Sequence, residues 1–188
     1  MHDDGHPATH RTMAQWMGEP VLTLDDVWPA RPRGVIVGLN PTPTSVAAGH
    51  YYQGRLGQRQ LLRLADAGLF RRPGPGCTYF EDAALDAGIG LTDVVKRPTC
   101  AEKHVSPREI EFGRTALNAA LEDRGVPLVI CVFRHPVAVL LGSSGRPGFQ
   151  PSTTTWGARV FRMPGPFAPA DEVRDVMMDL SQDIAAAP

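Results

Sequence analysis

Two polar residues lie at the ends of short apolar segments that have the composition of buried strands. Asn40 directly follows residues 34–39, and Asp93 lies in the second such segment, which begins at residue 88. In open α/β sheets, ligands bind at the carboxyl ends of the strands. A neutral amide such as that of Asn40 can orient a water molecule but cannot take its proton, whereas a carboxylate can act as a general base. The two positions therefore indicate a site at one edge of a sheet.

The apolar pattern predicts strands alternating with helices, which is typical of a parallel sheet covered on both faces. We expect an α/β fold, a three-layer α/β/α sandwich with a four-stranded, mainly parallel sheet. The strands are predicted at residues 34–39, 88–95, 127–133 and 159–163. The helices are predicted at residues 58–68, 107–124, 136–141 and 171–186, with loops at 40–45 and 142–156.

The chain has 188 residues, of which 43% are hydrophobic and 21% charged, as in ordinary globular proteins. Residues 1–20 are polar and lack a sustained period, so we expect a mobile or loosely docked arm followed by one domain over residues 21–188. No apolar run approaches the roughly 20 residues that span a bilayer, and no apolar signal core is found near residue 1. We expect a cytoplasmic protein with no membrane partner.

The three cysteines, Cys77, Cys100 and Cys131, stand singly, with no histidine at ligand spacing. This pattern supports neither an iron–sulfur cluster nor a structural zinc site, so we expect no metal and no cofactor. The net charge of −1 argues against indiscriminate nucleic-acid binding, although arginines near the loops leave room for a local phosphate contact.

Four ordered motifs carry a resemblance to a known family. They are GLNPTPTS after the first strand, GHYYQGRLGQRQLL at the start of a helix, GLTDVVKRPT, and Met163-Pro164. In this order the sequence resembles the mismatch-specific uracil and thymine DNA glycosylases of the uracil-DNA glycosylase superfamily, over residues 22–184. The resemblance implies a base-excision enzyme that hydrolyses the N-glycosidic bond of a base flipped from DNA.

The resemblance also implies roles for individual residues. Asn40 matches the catalytic asparagine and Tyr52 the aromatic platform on which the flipped base stacks. The residues implied to bind the base are Leu39, Pro41, Thr42, Ser45, His50 and Tyr52. Without the motif, Asn40 would read as a turn former, Tyr52 as a side chain packed on the sheet edge, and His50 as a solvated loop residue.

On the DNA side, the resemblance implies contacts by Arg59 and by a loop formed by Gly165, Pro166, Phe167 and Ala168. This loop departs from the family's small polar second motif. Phe167 suits insertion between bases, or alternatively caps the core under the last helix. The residues Gln58, Arg59 and Gln60 replace family residues at the start of the helix, and we expect them to alter the pocket wall.

Asp93 stands where the family commonly has asparagine or lysine. It can serve as the general base that Asn40 cannot be, or stabilise the cationic sugar by its charge. Equally, it can cap a turn or form a salt bridge with Lys96 or Arg97. Both readings stay open on the sequence alone.

The expected function is that of a monofunctional DNA glycosylase, a monomer that removes uracil or a related damaged or mismatched base. No lysine in the recognised loops is placed to form a Schiff base. Two rival functions stay open: a glycosidase of the same fold acting on a free nucleoside or modified base, and a noncatalytic nucleic-acid or nucleotide binder.

Overall fold

The computed structural model describes residues 9–186. Its strands are β1 (Arg11–Trp16), β2 (Glu19–Leu24), β3 (Gly34–Gly38), β4 (Ile89–Asp93), β5 (Leu128–Cys131), β6 (Gly148–Phe149) and β7 (Arg159–Arg162). Its helices are α1 (Pro43–Ala48), α2 (Arg55–Asp66), α3 (Glu81–Asp86), α4 (Pro107–Asp123), α5 (Arg134–Leu141) and α6 (Ala170–Ala186), with a 3₁₀ turn at Glu102–His104. None of the helices in this part of the chain combines the length and apolar character needed to cross a bilayer.

The central sheet has the strand order β4-β3-β5-β7-β6, and its first four strands are parallel. Alternate residues of β3 point to opposite faces. Ile36 packs in a core with α2, α3 and α6, whereas Val35 and Val37 pack in a second core with α4 and α5. Because helices cover both faces, the strands are buried and apolar throughout. The predicted three-layer α/β/α fold is confirmed.

Within residues 9–186 the observed sheet has five strands, one more than the four predicted. Gly148 and Phe149 form β6, antiparallel to β7, within the segment predicted as a loop at 142–156. The ring of Phe149 packs edge-on against Phe161, with centroids 5.0 Å apart. A strand of two residues is too short to show an alternating pattern, so the sequence gives little signal for this edge.

The predicted polar arm at residues 1–20 also needs correction. Residues 1–8 lie outside the described part of the chain. β1 and β2, however, pair as an antiparallel hairpin, with Arg11 opposite Leu24 at its open end and Trp16 opposite Glu19 at its turn. Met17 and Gly18 turn the chain with φ of 53° and 92°, as a tight hairpin requires. Trp16 is only 6% exposed and packs edge-on against Phe112. The hairpin is therefore docked on the domain.

Candidate active site

A cleft of about 370 Å³ opens beyond the carboxyl ends of β3 and β4. It is lined by seven of the residues selected from the sequence: Leu39, Asn40, Pro41, Thr42, Ser45, Tyr52 and Asp93. The two strands are adjacent and parallel, with Gly38 opposite Asp93. The sheet therefore brings the residues that follow β3 beside the last residue of β4.

The Asn40 side chain is fixed by its amino group. Nδ2 donates to the Pro41 carbonyl at 2.8 Å and to Thr99 Oγ1 at 2.9 Å. Thr99 is buried and its hydroxyl donates in turn to the Ala101 carbonyl at 3.0 Å. Both amide hydrogens of Asn40 are thus used, whereas Oδ1 accepts no hydrogen bond from residues 9–186. The free group is an acceptor, which can hold a hydrogen of a water molecule.

The segment predicted as a loop at residues 40–45 becomes helical at Pro43, where α1 begins. Thr42 caps α1, since its Oγ1 accepts from Ser45 N at 3.2 Å, and Pro43 occupies the first turn. Ser45 Oγ accepts from Gln53 N at 3.1 Å. The Ser45 N–H is committed to this cap, so it is not free to donate to a ligand. The contacts hold the chain segment that leads into Tyr52.

Tyr51 and Tyr52 are directed differently. Tyr51 is 2% exposed and its hydroxyl donates to the Asp25 carbonyl at 3.2 Å. Tyr52 is partly exposed and has a φ of 56°, in the left-handed region that side chains rarely adopt. Its backbone packs against Gly57, where a Cβ would lie 2.8 Å from Tyr52 Cβ. The strained backbone is thus held by a close contact at the edge of the cleft.

Tyr52 and Asp93 meet over β3. A Cβ at Gly38 would collide with Asp93 Oδ1 and lie 2.8 Å from the Tyr52 hydroxyl. That hydroxyl is buried and has no hydrogen-bond partner within residues 9–186. Burial, and next the Asp93 charge, raise the pKa of Tyr52 well above its usual value, so the phenol stays protonated. Only glycine leaves room for both side chains at this strand end.

Asp93 forms neither of the predicted salt bridges. Lys96 Nζ binds Asp26 Oδ1 at 2.5 Å, and Arg97 Nε binds Glu109 Oε1 at 2.6 Å. Asp93 is 5% exposed, and its carboxylate makes no side-chain hydrogen bond with the described residues.

The pKa of Asp93 follows from these surroundings. Burial raises the pKa from 3.8 to about 7, Lys96 acts in the opposite direction, and Asp26 adds to the rise. A carboxyl with this pKa can take up and release a proton near neutral pH.

The loop that contains Phe167 is held by polar side chains of α2. Arg59 Nη1 donates to the Pro166 carbonyl at 3.0 Å, and Arg63 Nη1 to the Gly165 carbonyl at 3.1 Å. The fully buried Gln60 donates to the Pro164 carbonyl, also at 3.0 Å. Gln60 and Arg59 thus support this loop rather than the cleft wall predicted for them.

Phe167 itself is 80% exposed. The alternative in which it caps the core under α6 is therefore wrong. Within the loop, Ala168 N donates to the Gly165 carbonyl at 3.1 Å, which closes a tight turn around Pro166 and Phe167. The turn and the anchors from α2 present an apolar side chain to solvent on a fixed backbone.

A comparison with protein families decides which family this arrangement belongs to. Residues 26–168 match the family model described as "Uracil DNA glycosylase superfamily". The chain belongs to this superfamily. The matched region contains Asn40, Tyr52 and Asp93, together with the loop of Phe167. A comparison with curated proteins gave no significant match.

Superfamily membership implies a glycosylase that acts on damaged bases in DNA, and hence a hydrolase of DNA repair. In this uracil DNA glycosylase superfamily member, the cleft supplies an oriented amide, an aromatic ring and a carboxyl group with a pKa near 7. These groups can position a water molecule, hold a planar base and take up a proton.

One of the residues expected to bind the base lies outside the cleft lining. His50 is 7% exposed, stacks on Tyr79 with ring centroids 4.6 Å apart, and places Nδ1 3.5 Å from Glu81 Oε1. The structure thus separates His50 from the other residues expected to bind the base. Arg59 and the loop at 165–168, which the sequence assigns to DNA contacts, also lie outside the lining.

Sequence reasoning gave no role to Thr99 and assigned Gln60 to the pocket wall. Thr99 fixes Asn40, and Gln60 anchors the loop of Phe167. Thr99 belongs to the motif GLTDVVKRPT, so its position within a family motif was the available signal. For Gln60 the signal was a polar residue on the apolar face of α2, beside Leu61 and Leu64.

Proposed function

We propose that this protein is a monofunctional base-excision glycosylase that releases uracil, or a related damaged or mismatched base, from DNA. The observation that carries the proposal is the fixed amide of Asn40. Thr99 and Pro41 bind both of its hydrogens, which leaves Oδ1 as the free acceptor of a residue that lines the cleft.

The proposed reaction breaks the bond between the sugar C1′ and the base nitrogen. The bonding electron pair leaves with the base, and the sugar becomes an oxocarbenium-like cation. A water molecule held by Asn40 Oδ1 adds to C1′ and transfers its proton to the Asp93 carboxylate. The Tyr52 ring stacks on the flipped base. This mechanism contains no group that strongly activates a poor leaving group. The reaction therefore favours bases that leave easily, such as uracil and other electron-poor pyrimidines.

The absence of a lysine nucleophile supports hydrolysis over a lyase mechanism. The chain has two lysines, Lys96 and Lys103, and neither lines the cleft. Lys96 is bound to Asp26 and to Thr92 Oγ1, at 2.5 and 3.2 Å. Lys103 lies in the 3₁₀ turn and is exposed. Water is therefore the nucleophile in the proposed reaction, and the product is an abasic site with an intact strand.

The Phe167 loop favours DNA over a free nucleoside as the substrate. An exposed aromatic side chain on an anchored turn suits insertion into a base stack, and a free nucleoside offers no stack. Arg55 lies at the cleft, is exposed, and forms no ion pair within the described chain. A guanidinium group in this position suits a phosphate contact. We also propose that this protein prefers mismatched uracil or thymine, as do the mismatch-specific glycosylases that its sequence resembles.

The central test replaces Asn40 with alanine. We expect release of uracil from a duplex to slow by ~10²–10³, the scale for losing one group that organises the transition state. Strand cleavage by alkali after incubation reports the abasic product. The matched control is Asn118→Ala, because Asn118 is the other asparagine of the chain and lies on α4. Undiminished release by the Asn40 variant, at unchanged melting temperature, would remove this residue from the mechanism.

A substrate panel tests the rest of the proposal. It contains uracil and thymine opposite guanine, uracil opposite adenine, uracil in a single strand, and free deoxyuridine. We expect release from DNA and none from deoxyuridine. Hydrolysis of deoxyuridine alone would favour the nucleosidase. Activity on no member, with binding to DNA retained, would favour the noncatalytic binder.

A further inference from the structure

Three residues that are far apart in the sequence converge at the base of the β1–β2 hairpin. His10, His50 and Glu81 bring one ligand atom each to within 4.8 Å of one another. His50 Nδ1 lies 3.5 Å from Glu81 Oε1, and the rings of His10 and His50 are edge-on with centroids 6.1 Å apart. Imidazole nitrogen and carboxylate oxygen are the ligands of zinc sites that contain no cysteine.

The cluster contains a polar atom that the protein does not satisfy. His50 is 7% exposed, and its Nδ1 is buried without a hydrogen-bond partner in residues 9–186. A buried polar atom without a partner costs about 1–3 kcal/mol. The 3.5 Å separation from Glu81 is too long for a hydrogen bond to a ring N–H. It does suit two ligands of one tetrahedral metal ion, which lie about 3.3 Å apart when each bond is about 2.0 Å.

Glu81 is positioned before any ion arrives. The residue is 1% exposed, and its two carboxylate oxygens accept from Tyr51 N at 2.6 Å and from Phe80 N at 3.0 Å. Each carboxylate oxygen has a second lone pair, so these bonds leave acceptor capacity for a cation. No lysine or arginine pairs with this carboxylate in the described chain. The site therefore holds a buried carboxyl group beside an unpartnered imidazole nitrogen.

The histidines are also held by their backbones. His10 N donates to the Gly49 carbonyl at 2.9 Å, and the His10 carbonyl accepts from Asp25 N at 2.7 Å. Gly49 has a φ of 78°, and a Cβ there would lie 2.8 Å from Thr9 Cβ. The close approach of the two segments, which glycine permits, sets His10 beside His50. His10 is partly exposed, so its ring can rotate to close the remaining gap.

We propose that His10, His50 and Glu81 bind a divalent transition metal, Zn²⁺ by the chemistry of two imidazoles and a carboxylate. The ion ties the start of the hairpin to the loop that leads into Tyr52, and so acts as a structural cross-link. The sequence-based expectation of no metal rested on cysteines and on short ligand spacings. Neither signal detects ligands that are 40 and 31 residues apart.

Zinc binding is measured by titration calorimetry on the untagged full-length chain, in a His2→Ala/His6→Ala background that removes the two other histidines near the N-terminus. We expect one bound Zn²⁺ per chain and a higher melting temperature with Zn²⁺. His10→Ala, His50→Ala and Glu81→Gln are each expected to weaken binding at least tenfold. Co²⁺ should give the visible absorption bands of a tetrahedral site, and these bands should be lost in His10→Ala.

The matched control is His135→Ala. His135 Nε2 also lies 3.5 Å from a glutamate oxygen, of Glu102, but it belongs to no three-residue cluster in the described chain. We expect this variant to bind Zn²⁺ as the parent does. If Glu81→Gln fails to fold, the partly exposed His10 still decides the question. Equal affinity in the parent and in His10→Ala, or no binding by the parent, would overturn the proposal. Neither outcome bears on base release.

Discussion

Thr99 fixes the orientation of Asn40 across 59 residues of sequence: Asn40 Nδ2 donates to Thr99 Oγ1 at 2.9 Å. A backbone bond from Thr99 N to the Pro41 carbonyl, at 3.1 Å, joins the same two segments. The carbonyl of Pro41 also receives the second Asn40 hydrogen. The amide can therefore present only its oxygen to a water molecule in the cleft, and this orientation depends on the buried Thr99 hydroxyl together with the Pro41 carbonyl.

Replacing Thr99 with valine should slow uracil release about tenfold. The change removes the hydroxyl but keeps the branched shape, and a lost hydrogen bond of about 1.4 kcal/mol corresponds to a factor of ten in rate. Single-turnover kinetics on a uracil duplex measure the effect. Thr99→Ser retains the hydroxyl and should restore most of the rate. Equal rates for the valine and serine variants would mean that the hydroxyl does not orient Asn40.

The role of Asp93 predicts a pH dependence of base release. With a pKa of about 7, the carboxyl loses its proton near neutrality, and a general base works only when deprotonated. The rate should therefore rise with pH up to about 7 and then level off. Asp93→Asn should be slower above pH 7 and should lack this acid limb. Equal or higher activity with an unchanged profile would show that the charge is incidental.

The same group predicts how stability changes with pH. The pKa of Asp93 is about 7 in the folded state and about 3.8 when the chain is unfolded. Between these values the folded protein holds a proton that the unfolded chain has lost, so its stability falls as pH rises from about 4 to 7. Below about pH 4 this cost is absent.

Asp93→Asn removes that cost. At each pH, the free energy of unfolding of the variant is compared with that of the parent. This difference should favour the variant by roughly 2–4 kcal/mol more at pH 8 than at pH 4. Urea unfolding at both pH values measures the difference. Asp86→Asn, which also removes one negative charge but at an exposed position, controls for net charge. A gain that is the same at pH 4 and pH 8 would contradict the raised pKa.

The central strands and the longest helices were predictable because their signals are local. Val35, Ile36 and Val37 form a continuous apolar run, which a strand buried on both faces requires. Ser106 and Glu109 have the three-residue spacing of a capping box and form one, and α4 begins at Pro107 between them. Each of these features is decided by residues within a few positions of one another.

The errors arose where one local signal has two meanings. Residues 40–45 are predicted as a loop, yet a proline such as Pro43 after a capping Thr42 equally begins a helix, as α1 does. Met13 is 62% exposed, so an apolar residue occupies a solvent-facing position of β1. The alternation of polar and apolar residues is therefore interrupted, and the sequence pattern does not predict the hairpin.

The candidate site was predictable in part. The cleft residues that follow β3, and Asp93 at the end of β4, come from strand ends that adjacent pairing brings together. The contacts of Thr99 with Asn40 and of Gln60 with Pro164 join segments 59 and 104 residues apart. Such pairs depend on strand order and helix placement, which local patterns do not encode.

The exposed ring of Phe167 should matter more for duplex than for single-stranded substrates. Flipping a base costs a few kcal/mol of stacking and pairing, and a side chain inserted in the gap offsets part of that cost. Single strands lose little stacking, so they need the insertion less. Phe167→Ala should therefore reduce uracil release from duplex about tenfold more than from single-stranded DNA, which corresponds to about 1.4 kcal/mol.

Because Phe167 is 80% exposed, the truncation should change the free energy of unfolding by no more than about 0.5 kcal/mol, against 3–5 kcal/mol for a core phenylalanine. Phe112→Ala is the control: it removes an exposed phenylalanine on α4 that packs on Trp16, and the ratio of duplex to single-strand rates should not change. An equal loss on both substrates for Phe167→Ala would mean that the ring does not hold the duplex open. The fixed turn at Pro166 would then serve another purpose, and the nucleosidase alternative would gain weight.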